Sequence, residues 1–232
     1  LPTTFVGHPV VESDAEKGDG PAFRERHGLT DDEEVISVLL GSRLGEVTRL
    51  NPIFSECLFL LKKKHPNLRV VVPTTDTVAS TVRRLTGGWP VPTLVVEGDP
   101  EKYDAFAASN IALAASGTVA LELAMAKTPA VITYRINPIS AFFIRRLAKV
   151  RFVHLINVIL DREAIPEFLQ ESCRADFLAA ALEDLLMDKD RRDRQIAAYE
   201  EALNKLSPKG ASPASKASKA VLDVIAENRA KD

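Results

Sequence analysis

The feature of this sequence that most restricts its fold is a rhythm: short apolar runs, each the length of one strand, recur with longer segments between them. "EVISVLL" (34–40), "LRVVVP" (68–73), "PTLVVE" (92–97), "NIALAA" (110–115) and "PAVITY" (129–134) are apolar on consecutive rather than alternate residues. Strands of that kind need cover on both faces. Helices over 44–65, 76–86, 100–108 and 117–126, read from the period of their apolar residues, supply the cover. Strands alternating with helices make a parallel sheet, so the expected fold is α/β, a Rossmann-like doubly wound domain. "TTFVG" (3–7) reads as one more strand. Beyond about residue 165 only helical patterns follow: "CRADFLAAALEDLLMD" (173–188), "DRRDRQIAAYEEALNKL" (190–206) and "PASKASKAVLDVIAENRA" (213–230). Turn-rich "SPKGASPAS" (207–215) reads as a connector before the last of them. The expected division is a lead segment 1–20, an α/β domain 21–206, and a linker with the C-terminal helix 207–232.

Composition narrows the function. In 232 residues, 30 Lys and Arg against 32 Asp and Glu leave a net charge of −2, so no global field draws the chain to nucleic acid, and any anion site must be local. Cys57 and Cys173 lie far apart without metal-ligand spacing and read as small buried hydrophobes in a reducing compartment. No stretch reaches the ~18 uninterrupted apolar residues of a membrane span. The start "LPTTFVGHPVVE" has no basic region before an apolar core and no initiator Met, which suggests a piece of a longer protein.

Ligands of open α/β sheets sit outside the carboxyl ends of the strands, and two such loops stand out. Gly41, Ser42 and Arg43 follow one strand and open a helix: the glycine admits close backbone approach, the helix start offers N–H groups, and Arg43 adds a fork of donors suited to phosphate. A plain helix start with a solvated arginine is the other reading. Ser116, Gly117 and Thr118 follow another strand in the same way, and Glu122 lies one turn beyond Thr118 on the same helix face. With a phosphate at the helix start and a ribose beside the next turn, Glu122 would accept from sugar hydroxyls. Capping does not explain this acid, because a capping box on Ser116 would put its carboxylate at position 119, which is Val119. Pairing with a cation elsewhere in the chain stays open.

The segment 137–163 carries Ile139, Phe142, Phe143 and Leu147 beside Arg145, Arg146, Lys149 and Arg151, a basic amphipathic pattern suited either to an anionic bilayer surface or to core packing with a solvated edge. Asn157, in the apolar frame "LINVIL", must find backbone or ligand partners if buried. "DKD" (188–190) reads as part of a charged helix end. His8, in "GHP", stands out among four histidines, none of which are spaced as metal ligands, so no metal and no cofactor are expected.

Together, "FVGHPVVE", "GSRLGEVTRLNPIF", "ASGTVALELAMAKTPAVITYRINPISAFFIRRLAKVRFVHLINVI" and "REAIPEFLQE" resemble the lipid-A-disaccharide synthases, inverting, metal-independent glycosyltransferases of the GT-B fold. The resemblance covers most of residues 5–172. It implies transfer of 2,3-diacylglucosamine from UDP-2,3-diacylglucosamine to 2,3-diacylglucosamine 1-phosphate, giving lipid A disaccharide 1-phosphate and UDP. It also implies that residues 1–20 join two domains and that 21–206 form the UDP-sugar donor-binding half. The partners then implied are a missing N-terminal domain holding the catalytic base and the anionic cytoplasmic face of the bacterial inner membrane. By position, Arg43 and Ser116 to Thr118 would contact the diphosphate, with Gly41 and Ser42 beside them, Glu122 the ribose, and Asn157 the donor. The sequence departs from the family at Leu40 and Ile156, where proline is usual, and at Asp161, where glycine is. Another GT-B UDP-sugar enzyme, a UDP-sugar binding module without turnover, and an inactive truncated remnant are the alternatives.

Overall fold

A computed structural model describes residues 3–115, 117–135, 151–207 and 212–229. Its centre is one parallel sheet of β1 (Glu34–Leu39), β2 (Leu68–Thr74), β3 (Thr93–Glu97), β4 (Ile111–Ala115), β5 (Ala130–Tyr134) and β6 (Glu167–Leu169), in the order β3-β2-β1-β4-β5-β6. The chain builds outward from β1 to β3, then returns beside β1 and builds the other way. The reversal falls between β1 and β4, where Leu39 pairs with Ala114, so the loops leaving these two strands emerge side by side.

The helices are α1 (Gly20–His27), α2 (Leu44–Lys62), α3 (Asp76–Thr86), α4 (Asp99–Ala108), α5 (Val119–Met125), α6 (Leu155–Leu160), α7 (Ala175–Met187), α8 (Lys189–Leu206) and α9 (Pro213–Arg229). Alternation along the strands splits the core in two. Ile36, Val38, Val70, Val72 and Leu113 meet Phe54 and Leu58 of α2, Val82 of α3 and Leu182 of α7 on one face. Leu39, Ala112, Ala114 and Ile132 meet Phe106 of α4, Leu121 of α5 and Tyr199 of α8 on the other. The doubly wound α/β architecture expected from the apolar runs is therefore present. Pro52 lies inside α2, where proline costs ~3 kcal/mol or more. The helix survives because Val47, Leu50, Phe54, Cys57, Leu58 and Leu61 are buried along one side, each side chain worth about 1.5–3 kcal/mol. Cys57 and Cys173 are buried free thiols, and burial pushes Cys57 up to about 12.

Two expectations are corrected. Residues 3–7 are not a strand: Gly7 turns the backbone at φ 93°, Phe5 stays 64% exposed, and the His8 N–H donates to the Leu206 carbonyl of α8 at 3.3 Å, so the segment is tied to a helix instead of a sheet edge. The region after 165 is not wholly helical, because Glu167–Leu169 pair with Ile132–Tyr134; three residues are too few to show a run. The last helix begins at Pro213, where the helical pattern read over 213–230 starts, since proline fits a helix's first turn. α1 and α6 were not anticipated, being short. Residues 9–17 form two 3-10 turns packed against α4 and α5. The basic amphipathic helix read within 137–151 falls almost wholly outside the described residues.

Candidate functional site

In a parallel βα unit the helix starts where the strand ends, so α2, α3, α4 and α5 all begin at one end of the sheet. A cavity of about 720 Å³ lies there. Gly41, Ser42 and Arg43 line it after β1, Thr74 to Asp76 after β2, Gly98, Asp99 and Lys102 after β3, and Gly117, Thr118 and Glu122 after β4. The two loops singled out in the sequence thus share one cleft at the strand-order reversal. Ser116 is outside the described residues.

Gly41 takes φ 101°, a conformation that suits glycine, and Arg43 forms the N-cap of α2 with its side chain 79% exposed. Arg43 Nη1 donates to Glu46 Oε1 at 3.0 Å. At the other loop the N–H groups of Ala120 and Leu121 already donate to the carbonyls of Gly117 and Thr118 at 3.2 and 3.0 Å. α5 has only seven residues against nineteen in α2. Its start is therefore a weaker anion donor than its sequence suggests, a full helix end carrying about half a charge.

Glu122 is in the cleft, with its side chain 21% exposed, and it has a cation. Lys102 Nζ, from α4, lies 3.1 Å from Oε1 and 3.0 Å from Oε2, and 2.8 Å from Asp99 Oδ1. The pairing left open by the sequence is real, and the partner is a lysine. Burial pulls the Lys102 ammonium down, but hydrogen bonds to Asp99 and Glu122 outweigh it and hold its pKa above the ordinary lysine value. The cleft's ionised side chains are Arg43 and Lys102 against Glu46, Asp76, Asp99 and Glu122. The side chains of the cleft are therefore net acidic, two cations against four carboxylates. The Thr74 hydroxyl oxygen is buried without a hydrogen-bond partner at the cleft wall.

Asn157 is not brought to this cleft. Its Oδ1 accepts from the N–H groups of Ala164 and Ile165, both at 2.9 Å, and its Nδ2 donates to the Ile165 carbonyl at 2.8 Å and to Glu167 Oε1 at 3.3 Å. Every hydrogen-bonding position of the amide is used to bind the loop before β6. Asp161 ends α6 at φ 50°, a left-handed position where the family's glycine is easily understood, and neither it nor the buried Ile156 lines the cleft. Leu40 is buried in the core under α2.

A larger cavity, about 830 Å³, lies between β6, α7 and α8. Its arginines face acids, Arg162 with Glu201 at 2.7 Å, Arg191 with Asp184 at 2.8 Å and Arg194 with Asp188 at 4.0 Å, and it is away from the loops after β1 to β4, so volume does not decide the site. Asp188 of "DKD" caps α8 by accepting from the Arg191 N–H at 3.0 Å, and His8 Nδ1 accepts from the Val10 N–H at 3.1 Å. Among the described residues no three His, Cys, Asp or Glu cluster as a metal site. Glu46, Asp76, Asp99 and Lys102 were missed as cleft residues. Applying the strand-loop-helix rule to β2 and β3 as well would have found Asp76, Asp99 and Lys102.

Known proteins resemble this chain in sequence and in fold. The family model described as lipid-A-disaccharide synthetase matches residues 1–221. The lipid-A-disaccharide synthase of Rhodospirillum centenum is 52% identical over 97% of this chain and 56% of its own length, and that of Paramagnetospirillum magneticum 50% identical over 99% and 59%. The chain thus spans little more than half the length of these relatives. A Staphylococcus aureus MnaA–UDP co-structure superposes with a TM-score of 0.57 at 12% identity, over 84% of this chain and 48% of that one. WaaG, a glycosyltransferase involved in lipopolysaccharide biosynthesis, superposes with a TM-score of 0.51 at 16% identity, over 80% and 45%. These similarities in structure show the fold alone, the α/β domain that makes up one half of a GT-B protein. On the family match across nearly all its residues, the chain belongs to the lipid-A-disaccharide synthetase family.

Proposed function

We propose that this chain is the donor-binding half of a lipid-A-disaccharide synthase, which moves 2,3-diacylglucosamine from its UDP derivative to 2,3-diacylglucosamine 1-phosphate. The observation that carries the reading is the meeting of the loops after β1 and β4, with Arg43 and Glu122, in one cleft at the strand-order reversal. Further support comes from neighbours of the same fold solved with UDP and, in the spinosyn rhamnosyltransferase SpnG, with thymidine diphosphate. The acceptor hydroxyl attacks the anomeric carbon, the bond to the UDP oxygen breaks with inversion, and the hydroxyl proton passes to a base on a second domain. Arg43 and the helix starts then offset the charge growing on departing UDP, and Glu122 grips the ribose.

A second domain would also cover α9, which leaves Val221, Leu222, Val224 and Ile225 exposed. The basic and aromatic residues between 139 and 151 would hold the enzyme on an anionic bilayer at the cytoplasmic face of the inner membrane, where acylated substrates reside. No helix among the described residues is long and apolar enough to cross a membrane. Liposome co-sedimentation should fall when Arg145, Arg146 and Lys149 become Ser, and equal pelleting would reject the membrane role.

Calorimetric titration tests the site. Arg43→Ala should weaken UDP, and Glu122→Gln should weaken both UDP and uridine, by ~1–3 kcal/mol each for a lost charged hydrogen-bond partner. Unchanged UDP affinity in both variants rejects the assignment.

A further inference from the structure

Lys102 holds both carboxylate oxygens of Glu122, at 3.1 and 3.0 Å, with its side chain 20% exposed in the wall of the same cleft as Arg43, Gly117 and Thr118. This creates a conflict for the reading just given, on which this inference rests. The ammonium takes an acceptor position on each oxygen and offsets the carboxylate's charge, so ribose hydroxyls compete with it there. A diphosphate entering a cleft with four carboxylates and two cations also needs more positive charge than Arg43 alone supplies.

One movement resolves both. We propose that Lys102 is a second diphosphate-binding residue: as a nucleoside diphosphate enters, its ammonium passes from Glu122 to the phosphate oxygens, and the ribose hydroxyls take its place on the carboxylate. Lysine suits this role, being a point charge on a flexible stem with no fixed fork to satisfy. Asp99, 73% exposed at the first turn of α4 and 2.8 Å from the ammonium, is the second acid from which Lys102 would be drawn. The exchange costs Glu122 little, since two neutral donors replace one charged one while the cation meets a more highly charged anion. It makes nucleotide binding depend on both halves of the ligand, since ribose without phosphates leaves Lys102 competing for Glu122.

The test is titration of the 232-residue chain with UDP and with uridine, in wild type, Lys102→Met, Lys102→Arg, Arg43→Ala and Glu122→Gln, with circular dichroism melting to establish folding. Lys102→Met should weaken UDP at least tenfold while leaving uridine unchanged or tighter, and Lys102→Arg should keep most UDP affinity. Equal weakening of UDP and uridine in Lys102→Met would mean that Lys102 only orients Glu122, and no change in either would mean that it is a bystander. Both outcomes overturn the proposal while Arg43→Ala and Glu122→Gln still weaken UDP. Should those two variants bind UDP normally, the site reading falls and this inference with it. If Lys102→Met does not fold, Lys102→Gln is read by the same ratio of UDP to uridine affinity.

Discussion

The carboxylate of Glu46 occupies the space where residue 41 would carry a side chain: a β-carbon added to Gly41 would lie 2.5 Å from Glu46 Oε2 and 3.0 Å from Glu46 Cβ. The same carboxylate holds Arg43, so glycine at 41, acid at 46 and the aim of Arg43 form one arrangement. Gly41→Ala should destabilise the chain by about 1–3 kcal/mol, from the φ of 101° and the collision together, measured by urea unfolding. Adding Glu46→Ala should recover only the part due to the carboxylate, since the β-carbon of residue 46 and the φ of 101° remain. A single variant as stable as wild type would disprove the constraint.

Asn157 predicts a separation of stability from binding. Asn157→Ala leaves the half-buried Ala164 N–H, the buried Ile165 N–H and the Ile165 carbonyl without their partners, and should cost about 2–4 kcal/mol in unfolding free energy. Because the amide is spent on the loop before β6, UDP affinity of the folded variant should stay unchanged in titration. A binding loss in a variant of normal stability would return Asn157 to the ligand.

His154 sets an acid limit. It is 1% exposed, its Nδ1 has no hydrogen-bond partner, and burial lowers its pKa to about 4 from the ordinary 6.5. Below pH 6.5 the unfolded chain takes up a proton that the folded chain refuses until about pH 4. Stability therefore falls as pH falls through that window, by up to ~3 kcal/mol, and this contribution levels off below it. His154→Leu should remove this component, so that unfolding free energy measured at pH 7 and pH 4.5 differs less in the variant than in wild type. Parallel pH profiles would assign the loss to other groups.

The apolar stripe of α9 gives the opposite expectation. Leu222 and Ile225 are 64% and 43% exposed, so Leu222→Glu with Ile225→Glu should change the unfolding free energy of this chain by no more than ~0.5 kcal/mol. A loss beyond ~1 kcal/mol in urea unfolding would show that the stripe packs within the chain.

Much of this protein was legible before folding. Apolar runs of six or seven residues marked β1 to β5, and the glycines after two of them marked the loops at 41 and 117, because strand cover and helix starts follow from local pattern. β6 escaped because its pairing to Ile132 through Tyr134 is made by the sheet and not by its own three residues. Glu122 was legible as an acid in an apolar helix, yet its partner was not, since Lys102 sits twenty residues earlier on another helix. Asn157 showed the same limit: a buried amide announces that it needs partners, and only the folded loop says which.

The sequence by itself determined the layers, the strand ends and which loops could meet a ligand, because periodicity and run length are properties of neighbours along the chain. Tertiary structure alone decided that β1 and β4 lie side by side, that Lys102 closes on Glu122 and that Asn157 turns inward. Those facts depend on strand order and helix packing, which bring together groups that no local pattern connects.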